Sequence, residues 1–344
     1  MLKRFFLSAL AMTALSSPSA PSIAQNSPTD GVAFDAYVEV LKARARAEGV
    51  SEQTIQRMTA GLTPNDRVIR LDRGQPGQPT RSGYPALAPY IDTHVNSVRI
   101  AGGRSVFREN RSRLRAVEAE YGVPAEIIVA IFGHETSYGR IRGGFDLSRS
   151  LATLAWEGRR RDLFASEFIA LMKVADKGYS RDELVGSYAG AFGNPQFLPS
   201  VYLRLAADGD GDGRANIFTN RADTFASIAN YFRDAGWRTG QPWGVRAAVP
   251  SGFNVDAYKT ELNAQVCPRV HERHSQWKSV SEWRALGVQP QRYLPDDTLV
   301  SLFQPDGPGT PAWLLTGNYR VILEYNCSNY YAMSVGLLAD EIVN

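Results

Sequence analysis

A carboxylic acid set at the end of an apolar helix is the first feature of this chain that could do chemistry. In "VPAEIIVAIFGHETSYGR", residues 123–140, Ile127 to Phe132 form an unbroken apolar block and Glu135 follows closely. Helical spacing from Pro124 to about Tyr138-Gly139 puts Glu135 in the last turn, at the negative end of the helix dipole. Ile131 and Phe132, four and three residues earlier, lie over the same flank. Both surroundings disfavour an ionised carboxylate and raise its pKa, the condition of a general acid working near neutral pH. Arg140 or Arg142 offers the opposite reading, a structural ion pair, and local features leave both open.

Two further stretches carry suitable side chains. "GSYAGAFGNPQFLPSVY", 186–202, has neither the spacing of a phosphate loop nor that of a dinucleotide fingerprint. Its small residues permit close approach by a ligand or by another helix. Ser187 and Gln196 supply hydrogen bonds, and Tyr188 and Phe197 supply flat apolar faces, a combination that suits a sugar ring as well as tight packing. In "DGDGDGRANIFTNRAD", 208–223, Asp208, Asp210 and Asp212 occupy positions 1, 3 and 5 of a calcium loop, and Gly213 the sharp turn. Arg214 would give its carbonyl oxygen. Position 12 is Thr219, so Asp223 is the next carboxylate able to close a longer variant. "HETSY" fails as a zinc site because Tyr138 stands where a second histidine is needed. "HERH", 271–274, is read as surface.

These groups need a scaffold, and the rest of the chain supplies a mainly helical one. Helical spacing covers 34–62, two helices are expected in 86–121, and 160–179 is amphipathic. A Gly/Pro-rich connector, 72–85, interrupts the first part. "DTFASIANYFRDAGW" is helical, "WLLTGNYRVILEY" (313–325) leans to strand, and a last helix covers 329–342. The 344 residues allow two or three packed units. Residues 1–24 read as a signal peptide, with Lys3 and Arg4 before an apolar core too short to span a bilayer. No cysteine near the cleavage point offers a lipid anchor. Without the signal's two basic residues the formal charge falls from +3 to +1, which gives no basis for binding nucleic acid. Cys267 and Cys327, the only cysteines of an exported chain, are expected to form a disulfide.

The ordered set "GHETSYGR", "GSYAGAFGNPQFLPSVY", "DGDGDGRANIF", "DTFASIANYFRDAGW", "GQPW" and "YNCSNYYAMSVGLLA" resembles the B-type lytic murein transglycosylases over residues 34–342. The resemblance implies an α+β protein that is mainly α. A helical domain at 25–122 would precede a lysozyme-like core at 123–245 holding the loop at 208–223. A small β-containing segment would occupy 246–344 before the last helix returns. It also implies cleavage of the β-1,4 bond between N-acetylmuramic acid and N-acetylglucosamine in peptidoglycan, leaving 1,6-anhydromuramic acid ends. Glu135 matches the single catalytic acid, with no catalytic cofactor. Ser187, Gln196, Tyr231, Tyr325, Asn326 and Tyr331 match substrate-binding positions, and Asp208, Asp210, Asp212, Arg214 and Asp223 match structural calcium ligands. Phe192 and Asn194 depart from the family pattern, and the loop is one residue longer before Asp223. The expected form is a soluble periplasmic monomer without membrane anchor, acting on glycan strands beside other cell-wall proteins. Two rival readings are a water-using muramidase, with Asp146 or Glu157 as second carboxylate, and a catalytically silent peptidoglycan-binding protein.

Overall fold

The structure, a computed structural model, describes residues 33–75, 86–261 and 264–344. The signal peptide at 1–24 and residues 76–85 of the connector lie outside the described residues. In chain order the first helices are α1 (Phe34–Ala47), α2 (Glu52–Thr59), α3 (Asp66–Arg73), α4 (Ala88–His94), α5 (Ser97–Glu109), α6 (Arg111–Tyr121) and α7 (Ala125–Thr136). Then come β1 (Phe145–Asp146), α8 (Leu147–Glu157), α9 (Arg161–Ala175), β2 (Val185–Gly186), α10 (Pro199–Leu205) and α11 (Arg221–Asp234). The last third holds β3 (Gly244–Ala248), α12 (Pro268–His271), β4 (Lys278–Ser279), α13 (Val280–Ala285) and β5 (Gln289–Pro290). It closes with β6 (Leu299–Phe303), β7 (Ala312–Leu315), α14 (Gly317–Tyr325) and α15 (Asn329–Val343). The expected class, mainly helical with a small β component, is the one observed.

Local chemistry redraws several boundaries. The run at 34–62 is two helices, because Gly49 adopts φ +82° and the Ser51 side chain caps α2 by accepting from the Thr54 N–H. α3 is an addition to the expected helices: it lies between the 34–62 stretch and the expected connector and runs only two residues into the latter. Asn65 starts it by accepting from the N–H groups of Arg67 and Val68. Between 86 and 121 there are three helices rather than two, since Asn96 caps α5 and the buried Asn110 separates α5 from α6. Pro124 is the N-cap of α7, just outside its first turn. The β-leaning run at 313–325 is strand only to Leu315. There Thr316 Oγ1 accepts from Asn318 N–H at 3.1 Å and opens α14, whose Tyr319, Ile322, Leu323 and Tyr325 are buried at helical spacing.

Among the described residues, two compact units can be distinguished: 33–75 with 139–227, and 86–138 with 228–344. In the first, α8 and α9 pack together, with α10 against α9 and α1 against both. Phe164, Phe168, Ile169, Leu171 and Met172 of α9 are buried there. Glu167 in the same helix is 4% exposed and is held by the N–H and hydroxyl of Ser200 at 2.9 and 2.6 Å. In the second unit α7 is covered by α5, α6 and α15. That unit also holds an antiparallel five-stranded sheet of order β4-β6-β7-β3-β5, in which Leu314 of β7 stands opposite Val245 and Leu302. Trp283 fills its core, fully buried, and its indole N–H donates to Val300 O at 3.2 Å. Among the described residues no helix is long and apolar enough to cross a membrane.

Candidate active site and loop

Every residue of α7 from Ile127 to Gly133 is buried, so the helix delivers its last turn into the interior of its unit. The turn closes with two non-glycine residues in the left-handed region, Ser137 (φ 49°) and Tyr138 (φ 63°). Such backbone costs about 1–3 kcal/mol per residue and persists only where packing imposes it. Here the packing is explicit. A methyl on Gly133 would come 2.6 Å from the Tyr138 ring, one on Gly102 would come 2.7 Å from it, and one on Gly103 would meet its hydroxyl at 2.7 Å. Three glycines thus form a slot for Tyr138, whose hydroxyl donates to Arg99 O at 2.7 Å. The slot fixes the chain direction directly after Glu135.

Glu135 is partly buried, and its Oε1 accepts a hydrogen bond from the Tyr331 hydroxyl at 2.6 Å. Among the described residues it makes no ion pair; Arg142, one expected partner, donates instead to Phe218 O. Burial pushes the Glu135 carboxyl up to about 7, while the Tyr331 hydrogen bond pulls the other way. Nothing local announces Tyr331 as the partner, because 196 residues separate the two. The buried Tyr231 and Tyr325 stand ring to ring at 4.7 Å, and Tyr231 donates to Glu324 O at 2.8 Å. Burial raises the Tyr325 and Tyr331 hydroxyls well above their usual range, with Glu135 adding to both. Asn326 Oδ1 is buried with no hydrogen-bond partner among the described residues, an expensive position for an amide unless a ligand completes it.

Glu135, Tyr231, Tyr325, Asn326 and Tyr331 therefore belong to one unit; Ser187, Tyr188, Gln196, Phe197 and the acidic loop belong to the other. In the Gly-rich stretch Ser187 Oγ accepts from Ala191 N–H at 2.9 Å, and Gln196, itself left-handed at φ 52°, donates to Gly193 O at 2.8 Å. Phe192 and Phe197 exchange backbone hydrogen bonds. A methyl on Gly186 would lie 2.2 Å from Ala191 O, so this glycine is required by the close approach of two backbones. Tyr188 accepts a hydrogen bond from Gln75, and its ring meets the edge of Phe145.

Asp208, Asp210 and Asp212 are exposed, and each offers an oxygen within 4.8 Å of the others. Asp208 is held by the N–H groups of Gly211, Asp212 and Gly213, and these hold its carboxyl below the usual range. Asp223 is fully buried and ties the loop together from beneath, accepting from Gly209 N–H at 2.8 Å and Asn216 N–H at 2.6 Å. Burial raises its carboxyl, with smaller contributions from Asp210 and Asp208. The Arg214 guanidinium lies over Tyr179 at 4.0 Å. Thr219 Oγ1 accepts from the Asn216 side chain at 2.9 Å. Converging carboxylate oxygens on a loop turned by Gly211 (φ 78°) and Gly213 (φ 90°) fit a hard, oxygen-seeking cation.

The residues considered as a second catalytic carboxylate are otherwise engaged. Asp146 caps α8 and pairs with Arg181 at 2.7 Å; Glu157 pairs with Arg73 at 2.9 Å. The surface reading of "HERH" is corrected: His271 and His274 are 8% and 3% exposed. His274 Nε2 lies 2.8 Å from Asn329 Oδ1, and Tyr319 donates to the same oxygen at 3.1 Å, so the motif anchors the first residue of α15. In the unit that holds Glu135, Cys267 and Cys327 are joined by a disulfide.

The profile of the family described as "Transglycosylase SLT domain" matches residues 33–340. Membrane-bound lytic murein transglycosylase B of Escherichia coli K12 is 32% identical over 303 residues, covering 86% of this chain and 79% of that protein. The structure of SltB3 from Pseudomonas aeruginosa with NAG-anhNAM-pentapeptide superposes with a TM-score of 0.81 at 34% identity, covering 91% of this chain and 80% of the other. That of the Escherichia coli lytic transglycosylase Slt35 with calcium gives 0.71 at 28% identity, covering 92% of this chain and 93% of the other. The chain belongs to the transglycosylase SLT domain family, among the lytic murein transglycosylases of the B type.

Proposed function

We propose that this enzyme cleaves the β-1,4 bond between N-acetylmuramic acid and N-acetylglucosamine without consuming water, using Glu135 as the only acid and base. The observation that carries this reading is the Glu135 carboxyl, raised to about 7 and free of ion pairs among the described residues. At neutral pH a large fraction of it keeps the proton a glycosidic oxygen needs. Proton transfer to that oxygen lets the C1–O bond break and leaves positive charge on the muramic ring, which the substrate's own N-acetyl group can stabilise. The Glu135 carboxylate then takes the proton of the C6 hydroxyl as O6 closes on C1. The 1,6-anhydro product forms and the enzyme regains its acid. Ordinary glycosidases use two carboxylates; the arginine pairing of Asp146 and Glu157 speaks for a one-acid scheme. Ser187, Tyr188, Gln196, Phe197, Tyr231, Tyr325 and Asn326 are assigned to glycan binding, and the signal-like N terminus to export into the periplasm. Mass spectrometry of digested sacculi tests the proposal: anhydro ends support it, reducing ends indicate hydrolysis, and intact strands indicate a silent binding protein.

Tyr331 holds the ionised form of Glu135 in this scheme. In Tyr331→Phe the carboxyl loses its donor, so its pKa should rise by about 1–2 units, the equivalent of a charged hydrogen bond. The alkaline limb of kcat/KM should move up in pH, and turnover should fall about tenfold because the second step needs the carboxylate. An unmoved pH profile would remove this role from Tyr331.

Calcium is assigned to Asp208, Asp210, Asp212, Asp223 and the Arg214 carbonyl, where it would neutralise their mutual repulsion and tie the loop to the start of α11. Its part is structural. Chelation should lower the melting temperature and leave rate constants at 25 °C little changed; saturation at a hundredfold Kd is worth about 2.7 kcal/mol. Identical melting curves with chelator and with added calcium would sink the assignment.

A further inference from the structure

A cavity of about 390 Å³ in the unit containing the five-stranded sheet has no part in the site described above. Thr260, Gln265, His271, His274, Trp277 and Arg320 line it. Arg320 comes from α14 and is half-buried; among the described residues its guanidinium makes neither an ion pair nor a hydrogen bond. The same holds for the ring nitrogens of His271. Leaving a guanidinium partly desolvated and unpaired is costly, so the arrangement asks for an acceptor from outside. The charges acting on the two imidazoles are positive as well: Arg320 on His271, and Arg273 with Arg320 on His274. With burial as the larger cause, they keep both rings neutral, and a neutral imidazole retains one N–H donor.

The walls are firm enough to hold such donors in place. His274 is fixed by Asn329, its carbonyl accepts from Thr260 N–H at 3.1 Å, and Ser275 N–H donates to Leu302 O of β6 at 3.1 Å. The Cys267–Cys327 bond, with Cα atoms 5.3 Å apart, ties the start of α12 to the turn between α14 and α15. A guanidinium fork matches a carboxylate through two parallel hydrogen bonds. The Trp277 ring adds an apolar face, and the volume falls in the range of small-molecule sites, well beyond a bare ion.

We propose that this cavity binds a terminal carboxylate carried on a small organic body, with Arg320 as its ion-pair partner and His271 as a second donor. Two sources share that chemistry: the free end of a peptide attached to a glycan strand, which rests on the peptidoglycan reading above, and a free organic acid. Calorimetry on the full chain separates them without any turnover, so its outcome is independent of the catalytic assignment. The probes are N-acetyl-alanyl-alanine, its C-terminal amide, and acetate. The acid should bind, and the amide should bind at least about tenfold more weakly, as should the acid to Arg320→Gln. Acetate much weaker than the dipeptide identifies a peptide end; acetate equal to it identifies free acids, and either supports the site. Equal binding of acid and amide, full affinity in folded Arg320→Gln, or no binding of any probe overturns it. Should Arg320→Gln fail to fold, the acid–amide comparison on the unaltered chain decides, with the His271 ring resonances expected to shift for the acid alone.

Discussion

Replacing Glu135 with glutamine is expected to cut the release of anhydro products by about 10⁴-fold while leaving the fold intact or slightly stabilised. General acid–base catalysis by one group is typically worth about 10²–10⁴-fold, and here the same group would serve both proton transfers. Glutamine keeps the size of the side chain and an oxygen able to accept from the Tyr331 hydroxyl, which stands 2.6 Å away. It cannot supply a proton. The stability side follows from the direction of the pKa shift. The folded protein retains a proton near pH 7 that an unfolded glutamate gives up at about 4.5, so wild-type stability falls as pH rises between those values. Above pH 7 the buried carboxylate then costs up to about 3 kcal/mol relative to low pH. The glutamine variant lacks that penalty and should melt higher than wild type at pH 8, with the difference closing by pH 4. A structural ion-pair role would reverse both signs, with turnover spared and the melting temperature lowered. Near-normal anhydro release by Glu135→Gln would end the catalytic assignment.

The sequence carries the family and the helical class, and also the setting of Glu135, because these rest on local periodicity and on ordered motifs. What it hides is set by distant contacts. Tyr331 reaches Glu135 across 196 positions, and no spacing rule links the end of one helix to the beginning of another that far along the chain. "HERH" looks like surface by residue type, yet His274, Tyr319 and Asn329 satisfy one another, so the cluster can be buried at little cost. The strand-like "NYRVILEY" becomes helix for a related reason. Its β-branched and aromatic residues suit either structure, and Thr316 with the apolar surroundings of α14 settles the choice. α3 is hard to read because its eight residues make only about two turns, too few to establish a repeat; it is defined by the Asn65 cap and by packing on α8.

Removing the Cys267–Cys327 bond should produce the largest stability loss available from a single covalent change. The bond closes a separation of 60 residues that includes β4, β5, β6 and β7, so its absence frees much of the sheet-forming segment in the unfolded chain. In the chain-entropy account a loop of this size is worth about 4 kcal/mol. Spread over a chain of this length, that corresponds to a melting temperature lower by about 6 °C. Cys267→Ser, Cys327→Ser and the double variant should all fall by nearly the same amount, because each removes the same bond and the effects cannot add. Turnover at 25 °C should stay within about threefold of wild type. Cys327 lies four residues before Tyr331, but α15 is also held by its packing on α7 and by the Asn329 contacts with His274, Tyr319 and Val270 O. Those contacts keep the Tyr331 hydroxyl at Glu135 after the bond is gone. A melting temperature that ignores both reduction and substitution would show that the sheet holds its place without the cross-link; a collapse of turnover with the fold intact would show that the bond, rather than the helix packing, positions Tyr331.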